Sequence, residues 1–468
     1  MKKLFRKKTA DTVDSEGGHL RKCLSALDLT LLGIGCTIGT GIFVLTGIAA
    51  ATQAGPAVVL SFLIASIPCL FAALSYAELA SSVGGCGSAY GYSYVAFGEV
   101  IAWIVGWDLV LEYGVAIATV ANGWSGYMCS VLNATGFSLP DFLTKGPLAG
   151  GIVNLPAFAI IFVLMAILIA GVKESARTNA VIVLIKMAAI AVFVGVAVFN
   201  IHPENWTPFM PFGWFSYTPD GKTVGVLAAS SLVFFAYVGF DSVSIAVEEA
   251  RNPKRDIPIG ILGSLAFCTL IYIIVAGLLT GVVPYTVLGV SSPVAFALEQ
   301  LGVRWASALV ATGVIAGLMS VMLALYYGLT RVIYAMGRDG LLPAACALVN
   351  KKTHTPVRTT VVCGLVIALL AGFIPLGLLA ELVNIGTLAA FVLVCGGVIV
   401  LRFTHPRMKR PFKTPGGIIL PLLGVISCGT LILFLPPLTH LRFIAWLLIG
   451  IVIYLGYSLK HSRLAHHV

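Results

Sequence analysis

The sequence predicts an all-α integral membrane protein built as a bundle of twelve transmembrane helices. Three observations carry that expectation. Hydrophobic residues make up 59% of the chain and charged residues only 10%, where a soluble domain carries about 25% charged residues. Twelve apolar stretches approach the ~20 residues that a helix needs to cross a bilayer. The basic residues between them fall almost wholly on alternate loops.

The predicted spans lie at 28–51, 57–78, 98–131, 155–172, 177–199, 224–250, 257–282, 305–334, 359–374, 378–402, 418–435 and 443–460. The chain therefore divides into an N-terminal segment (1–27), spans 1–5 (28–199), spans 6–10 (224–402), spans 11–12 (418–460) and a short tail (461–468). An even number of spans puts both termini on one side. That side receives 24 of the 29 Lys and Arg, the other receives four, and Lys186 lies within a span. Positive charge is retained in the cytoplasm, so both termini are expected there, in a multi-pass protein of the cell membrane.

The formal charge of +10 does not indicate nucleic acid. The basic residues form short clusters between apolar spans, with no aromatic-lined basic groove. Ten cysteines contain no CxxC pair and mostly occupy apolar runs, where cysteine acts as a small hydrophobe. Residues 1–22 are polar, and the apolar run that follows is too long for a signal peptide. Phosphate-binding loops, zinc-protease motifs and nucleophile elbows are absent. No enzyme, cofactor or metal is expected.

The first span contains GIGCTIGTGIF at 33–43, with Gly33, Gly35, Gly39 and Gly41 close together at mid-span. Each glycine costs a helix about 1 kcal/mol relative to alanine. Unwound backbone in lipid survives only where it lines a cavity or is buried in protein. The run predicts a helix that stops and restarts at Gly39-Thr40-Gly41. The restart would aim free N–H groups and a positive dipole end at a carboxylate. Close packing of small residues is the alternative.

FFAYVGFDSVS at 234–244 interrupts the sixth span at Gly239 and Asp241. Interruptions in corresponding spans of two five-helix halves point to an inverted-repeat transporter. Carbonyls at the end of each first half-helix would accept hydrogen bonds from an ammonium group. Together the two breaks suit a zwitterion. Tyr90-Gly91-Tyr92 and NPKRDIP (252–258) are expected as loop structure.

Five charged residues fall inside spans: Asp108 and Glu112 in span 3, Lys186 in span 5, Asp241 in span 6 and Glu381 in span 10. Each costs about 2.5–3.5 kcal/mol on insertion scales. Lys186 lies far from either span end, so it serves as a titratable amine, as half of a fixed ion pair, or both. Glu112 is expected to be the deeper, functional carboxylate. Asp108 is functional, interfacial or structural. Glu381 suits gating, packing or proton transfer. Phe235, Tyr237, Phe240 and Tyr272 lie near the second break, and Phe235 suits a ligand cap.

These motifs resemble the amino acid–polyamine–organocation superfamily along nearly the whole chain. More narrowly, they look like bacterial members of the cationic amino-acid transporter family. The carriers are LSALDLTLLGIGCTIGTGIFVLTG (24–47), GSAYGYSYVAFGE (87–99), GWDLVLEYG (106–114), FFAYVGFDSVS with EEARNPKRDIPIGI (248–261), and TRVIYAMGRDGLLP (330–343). The resemblance implies the LeuT-type fold: a 5+5 inverted repeat with broken helices 1 and 6, plus two extra C-terminal helices. It implies that Thr40, Gly41 and Ile42 donate amides to the substrate carboxylate. Carbonyls of Thr37, Phe235, Ala236 and Val238 would take the amine, with Phe235 as lid. Lys186 would replace the sodium ion of sodium-coupled relatives, implying protons. Asp241, Glu112 and Tyr272 would form the polar network around the site. Leu325 would line the side-chain pocket, and a branched apolar residue there argues for small neutral amino acids. The expectation is thus an alanine-like amino acid carried with a proton by a monomer in the lipid bilayer. The rivals are cationic amino acids or polyamines on the same fold, and a channel.

Overall fold

A computed structural model describes residues 6–7, 24–83, 89–171, 176–219, 222–350 and 355–465. Most of the N-terminal segment, with Lys2, Lys3, Lys8, Arg21 and Lys22, lies outside the described residues, as do Lys173, Lys351, Lys352, Cys23 and Cys86.

The chain is predominantly helical, with helix at each of the twelve expected places. Among the described residues, eight stretches are long and apolar enough to cross a membrane. Shorter apolar helices cover Ala26–Thr37, Leu155–Ile169, Val357–Phe373 and Ile419–Leu433. Span 3 (Glu99–Ala134) and span 8 (Arg304–Arg338) are the longest single helices and pack on each other at the centre. Their buried faces carry small residues, among them Gly114, Ala118, Gly313 and Gly317. Large apolar side chains face outward on spans 11 and 12, including Leu422, Ile426, Leu448 and Val452, which is where lipid replaces protein as the apolar partner.

The first helix has a defined start. Ser25 caps it, accepting from the Asp28 amide, while the Asp28 carboxylate takes the Ser25 N–H at 2.8 Å, the reciprocal bonding of a capping box. Leu24 also bonds through its backbone to Glu249 and Arg251. That ties the start of span 1 to the end of span 6.

Two loop expectations need correction. Ala89–Ala96 is a helix, and its tyrosines at 90, 92 and 94 are buried; their apolar rings outweigh the helix-weakening Gly91. Pro253 opens the helix Pro253–Val282, so NPKRDIP is helical from its second residue. Proline is suited to that first position because its missing N–H would be unpaired anyway. The all-α expectation also omits one small element. Ser216–Tyr217 pairs antiparallel with Thr223–Val224 in the loop before span 6.

Candidate functional site

Two chain breaks meet at the centre of the bundle. The first helix ends at Thr37, and Ile38 is extended at ψ 102°. The chain re-enters helix at Gly41 with a π-helical turn. Span 6 runs as helix to Val233 and as a 3-10 turn to Tyr237. Val238 is then extended, and Gly239 takes φ +117°, a left-handed value that glycine alone adopts cheaply. A second 3-10 segment covers Phe240–Glu249. The glycines also allow backbone approach. A Cβ on Gly239 would stand 2.8 Å from the Cys36 carbonyl oxygen. One on Gly41 would stand 2.3 Å from Ala236 Cα.

Helix ends leave backbone groups without partners inside the helix. Two side chains take several of them. Lys186 Nζ donates to the Gly35 carbonyl at 2.6 Å and the Ile38 carbonyl at 3.1 Å. Its stem passes Gly317 of span 8, where a Cβ would lie 2.7 Å from Lys186 Cγ. Tyr272 Oη lies 3.0 Å from the Thr37 carbonyl and 2.7 Å from the Ala236 carbonyl. A hydroxyl has a single hydrogen to donate, so the two breaks share it. Each carbonyl keeps a second lone pair for an ammonium group. Tyr272 is held in turn by Tyr237 and Phe62, with ring centroids 5.3 and 5.5 Å away.

Between the breaks lies a small cavity. Its lining includes Thr37, Thr40, Gly41, Phe235, Val238 and Leu325, all expected on the substrate. Ile42 and Ala236 are buried outside that lining. Thr40 Oγ1 is fully buried without a hydrogen-bond partner. It fits against Gly123 of span 3, where a Cβ would come within 2.7 Å of it.

Sequence reasoning missed three apolar wall residues: Ala116 and Val120 of span 3, and Val321 of span 8. Their spacing held a signal. Ala116 and Val120 follow Glu112 at four and eight residues, and Val321 precedes Leu325 by four, so each shares a helix face with a residue already singled out.

Glu112, Asp108 and Asp241 are all buried. Glu112 lies within electrostatic reach of both aspartates. Glu381 accepts a 2.7 Å bond from Thr439 Oγ1 of span 12 and feels the Arg442 charge, which places it in packing between spans 10 and 12.

Residues 24–456 match the amino acid permease family. The chain is 48% identical to the methylthioribose transporter of Bacillus subtilis, covering 99% of this chain and 100% of the relative. It is 47% identical to the branched-chain amino acid permease BcaP of the same organism, covering 98% and 99%. It is 37% identical to a vacuolar cationic amino acid transporter of Arabidopsis thaliana, covering 87% and 68%.

Proposed function

Because the chain belongs to the amino acid permease family, a family of multi-pass membrane transporters rather than enzymes, we propose that it imports a small neutral L-amino acid together with a proton by alternating access. The observation that carries the substrate class is the cavity wall. Ala116, Val120, Val321 and Leu325 are apolar, and no carboxylate is among the lining residues. A cationic side chain would be desolvated there without a counter-charge, at a cost of several kcal/mol. An aliphatic side chain gains about 25 cal/mol per Å² buried.

The zwitterionic end is supported by the breaks. The opening amides of the restarted first helix have no acceptor within their own helix, which suits a carboxylate at Thr40, Gly41 and Ile42. Carbonyls of Thr37, Phe235, Ala236 and Val238 face the opposite need. In this reading Phe235 covers the ligand. Lys186 supplies the cation at the first break, and Glu112, Asp241 and Tyr272 belong to the coupling network. Spans 1–5 and 6–10 act as the two inverted repeats, with both termini cytoplasmic as the basic loops indicate.

The test is substrate competition in proteoliposomes at two pH values, with and without sodium. Alanine, leucine, arginine and methylthioribose are the competitors. The last is included because of the name of the first relative. Competition by alanine and leucine, strengthened by external acid and indifferent to sodium, is expected. Competition by arginine or methylthioribose without alanine overturns the substrate class. Currents far above carrier turnover favour a channel.

A further inference from the structure

We propose that Asp108 is a proton-relay residue, which passes the coupled proton on from Glu112 within a buried polar cluster between spans 3 and 10. The proposal rests on the proton-coupled reading above.

Asp108 lies four residues before Glu112, so the two share a helix face about 6 Å apart along the axis. Their exposures are 2% and 1%. Span 10 meets them with Gly386 and Thr387. A Cβ on Gly386 would stand 2.8 Å from Asp108 Oδ1, and the Thr387 side chain faces the Glu112 carboxyl. One turn earlier, Asn384 is fully buried and anchored by its amide nitrogen to the carbonyls of Ser231 and Leu232 at 2.7 and 3.0 Å. Span 10 is thereby fixed to the first half of span 6.

The cluster holds unmet acceptors. Asp108 Oδ1 and Asn384 Oδ1 are buried without a hydrogen-bond partner, and Thr387 is the side-chain partner of the Glu112 carboxyl. Leaving such a group unpaired costs about 1–3 kcal/mol. Asp241 and the phenols of Tyr76 and Tyr113 are the other titratable groups facing Glu112, and Tyr92 faces Asp241. None of the three carboxyls joins an ion pair among the described residues. Three like charges in one dry cluster cannot all persist. A proton with a bridging water resolves both problems, because it turns acceptors into donors.

The transfer is balanced. The O–H bond of the Glu112 carboxylic acid breaks, its proton moves through the water, and an O–H bond forms on the Asp108 carboxylate. Glu112 becomes the carboxylate. Span 3 begins at Glu99 on the side that holds both termini, so Asp108 lies nearer that side than Glu112 does. On the sidedness proposed above, the proton leaves toward the cytoplasm.

The test uses the full chain in proteoliposomes. Asp108→Asn is expected to lose acid-driven net uptake by about 100-fold or more, the lower end of the range of a lost acid–base group. Exchange of labelled for unlabelled alanine needs no net proton movement and is expected to persist. Asp108→Glu is expected to restore net uptake with a displaced pH midpoint. In infrared difference spectra between acid and alkaline pH, the protonated-carboxyl C=O band is expected to shrink in Asp108→Asn. Acid-driven uptake that survives in Asp108→Asn overturns the relay. Exchange that falls together with uptake shows a merely structural role and overturns it too. If Asp108→Asn does not fold, an unmoved pH midpoint in Asp108→Glu overturns it. A wild type blind to the proton gradient removes the coupling reading itself, which a failure of Asp108 alone leaves standing.

Discussion

Gly41 and Ala236 bring the two broken helices into backbone contact. A Cβ added at Gly41 would lie 2.3 Å from Ala236 Cα and 2.8 Å from its nitrogen, which no rotamer change relieves. Gly41→Ala must therefore push the breaks apart. Overpacking of this kind costs about 1–3 kcal/mol, and here the displacement falls on the site itself. Uptake is expected to fall by about tenfold or more, since about 1.4 kcal/mol is one decade. Gly39→Ala is the contrasting variant. Its new methyl would meet Val321 at an ordinary 3.7 Å, so fold stability is expected to hold. Thermal unfolding and uptake of the two proteins separate these outcomes.

Lys186 is the second point where geometry makes a sharp expectation. Its ammonium is a donor for both the Gly35 and Ile38 carbonyls. Lys186→Ala deserts those carbonyls, at about 1–3 kcal/mol each if they stay dry. It also removes the cation from the first break. Acid-driven uptake is expected to disappear while the protein remains in the membrane. Gly317→Ala offers a milder approach to the same group, because its methyl would crowd the lysine stem. Undiminished acid stimulation in Lys186→Ala would falsify its coupling role.

How much of this was legible in the sequence follows from where each signal is strong. Gly33 to Gly41 stand out because four glycines inside a membrane span oppose helix formation, so the first break could be placed to within a few residues. Gly239 was legible for the same reason. The apolar walls were not. Ala116, Val120 and Val321 are ordinary membrane-helix residues, and only the rotation of spans 3 and 8 turns them toward the cavity. Helix Ala89–Ala96 was hidden by its Gly91 and by tyrosines that suit a loop as well as a core. Glu78 was missed because a carboxylate near a span end is normally solvated, whereas here the chain after span 10 folds over it.

Selectivity is expected to follow wall volume. Val321 and Leu325 stand one helical turn apart on the cavity face of span 8. Leu325→Ala removes three carbons' worth of wall, and each buried methylene is worth about 0.8 kcal/mol. The variant is expected to shift competition from alanine toward larger aliphatic amino acids, with arginine still excluded because no carboxylate has been added. A competition series of alanine, valine, leucine and arginine checks this. Arginine uptake by Leu325→Ala would show that size alone had excluded it.

Glu78 offers a test of stability away from the substrate. Its carboxylate receives both Arg402 Nε, at 3.0 Å, and Arg402 Nη2. It also accepts the Thr414 amide at 2.8 Å, with Arg410 Nε 3.4 Å away. Glu78 is only 2% exposed. The pair thus joins the end of span 2 to the end of span 10 and to the segment that follows. Removing one partner of a buried pair costs about 3–5 kcal/mol, because the other charge remains unpaired. Arg402→Met, which leaves the carboxylate only the Thr414 amide and the longer Arg410 contact, is expected to destabilise. Glu78→Gln is expected to do the same by stranding two arginines, although its amide oxygen can still accept from Thr414. Pairing Glu78→Leu with Arg402→Met removes both charges and is expected to recover part of the loss, with Arg410 left to snorkel. Unfolding midpoints of the three variants in detergent decide this. Additive losses in the double variant would show that the two side chains act separately despite their contact.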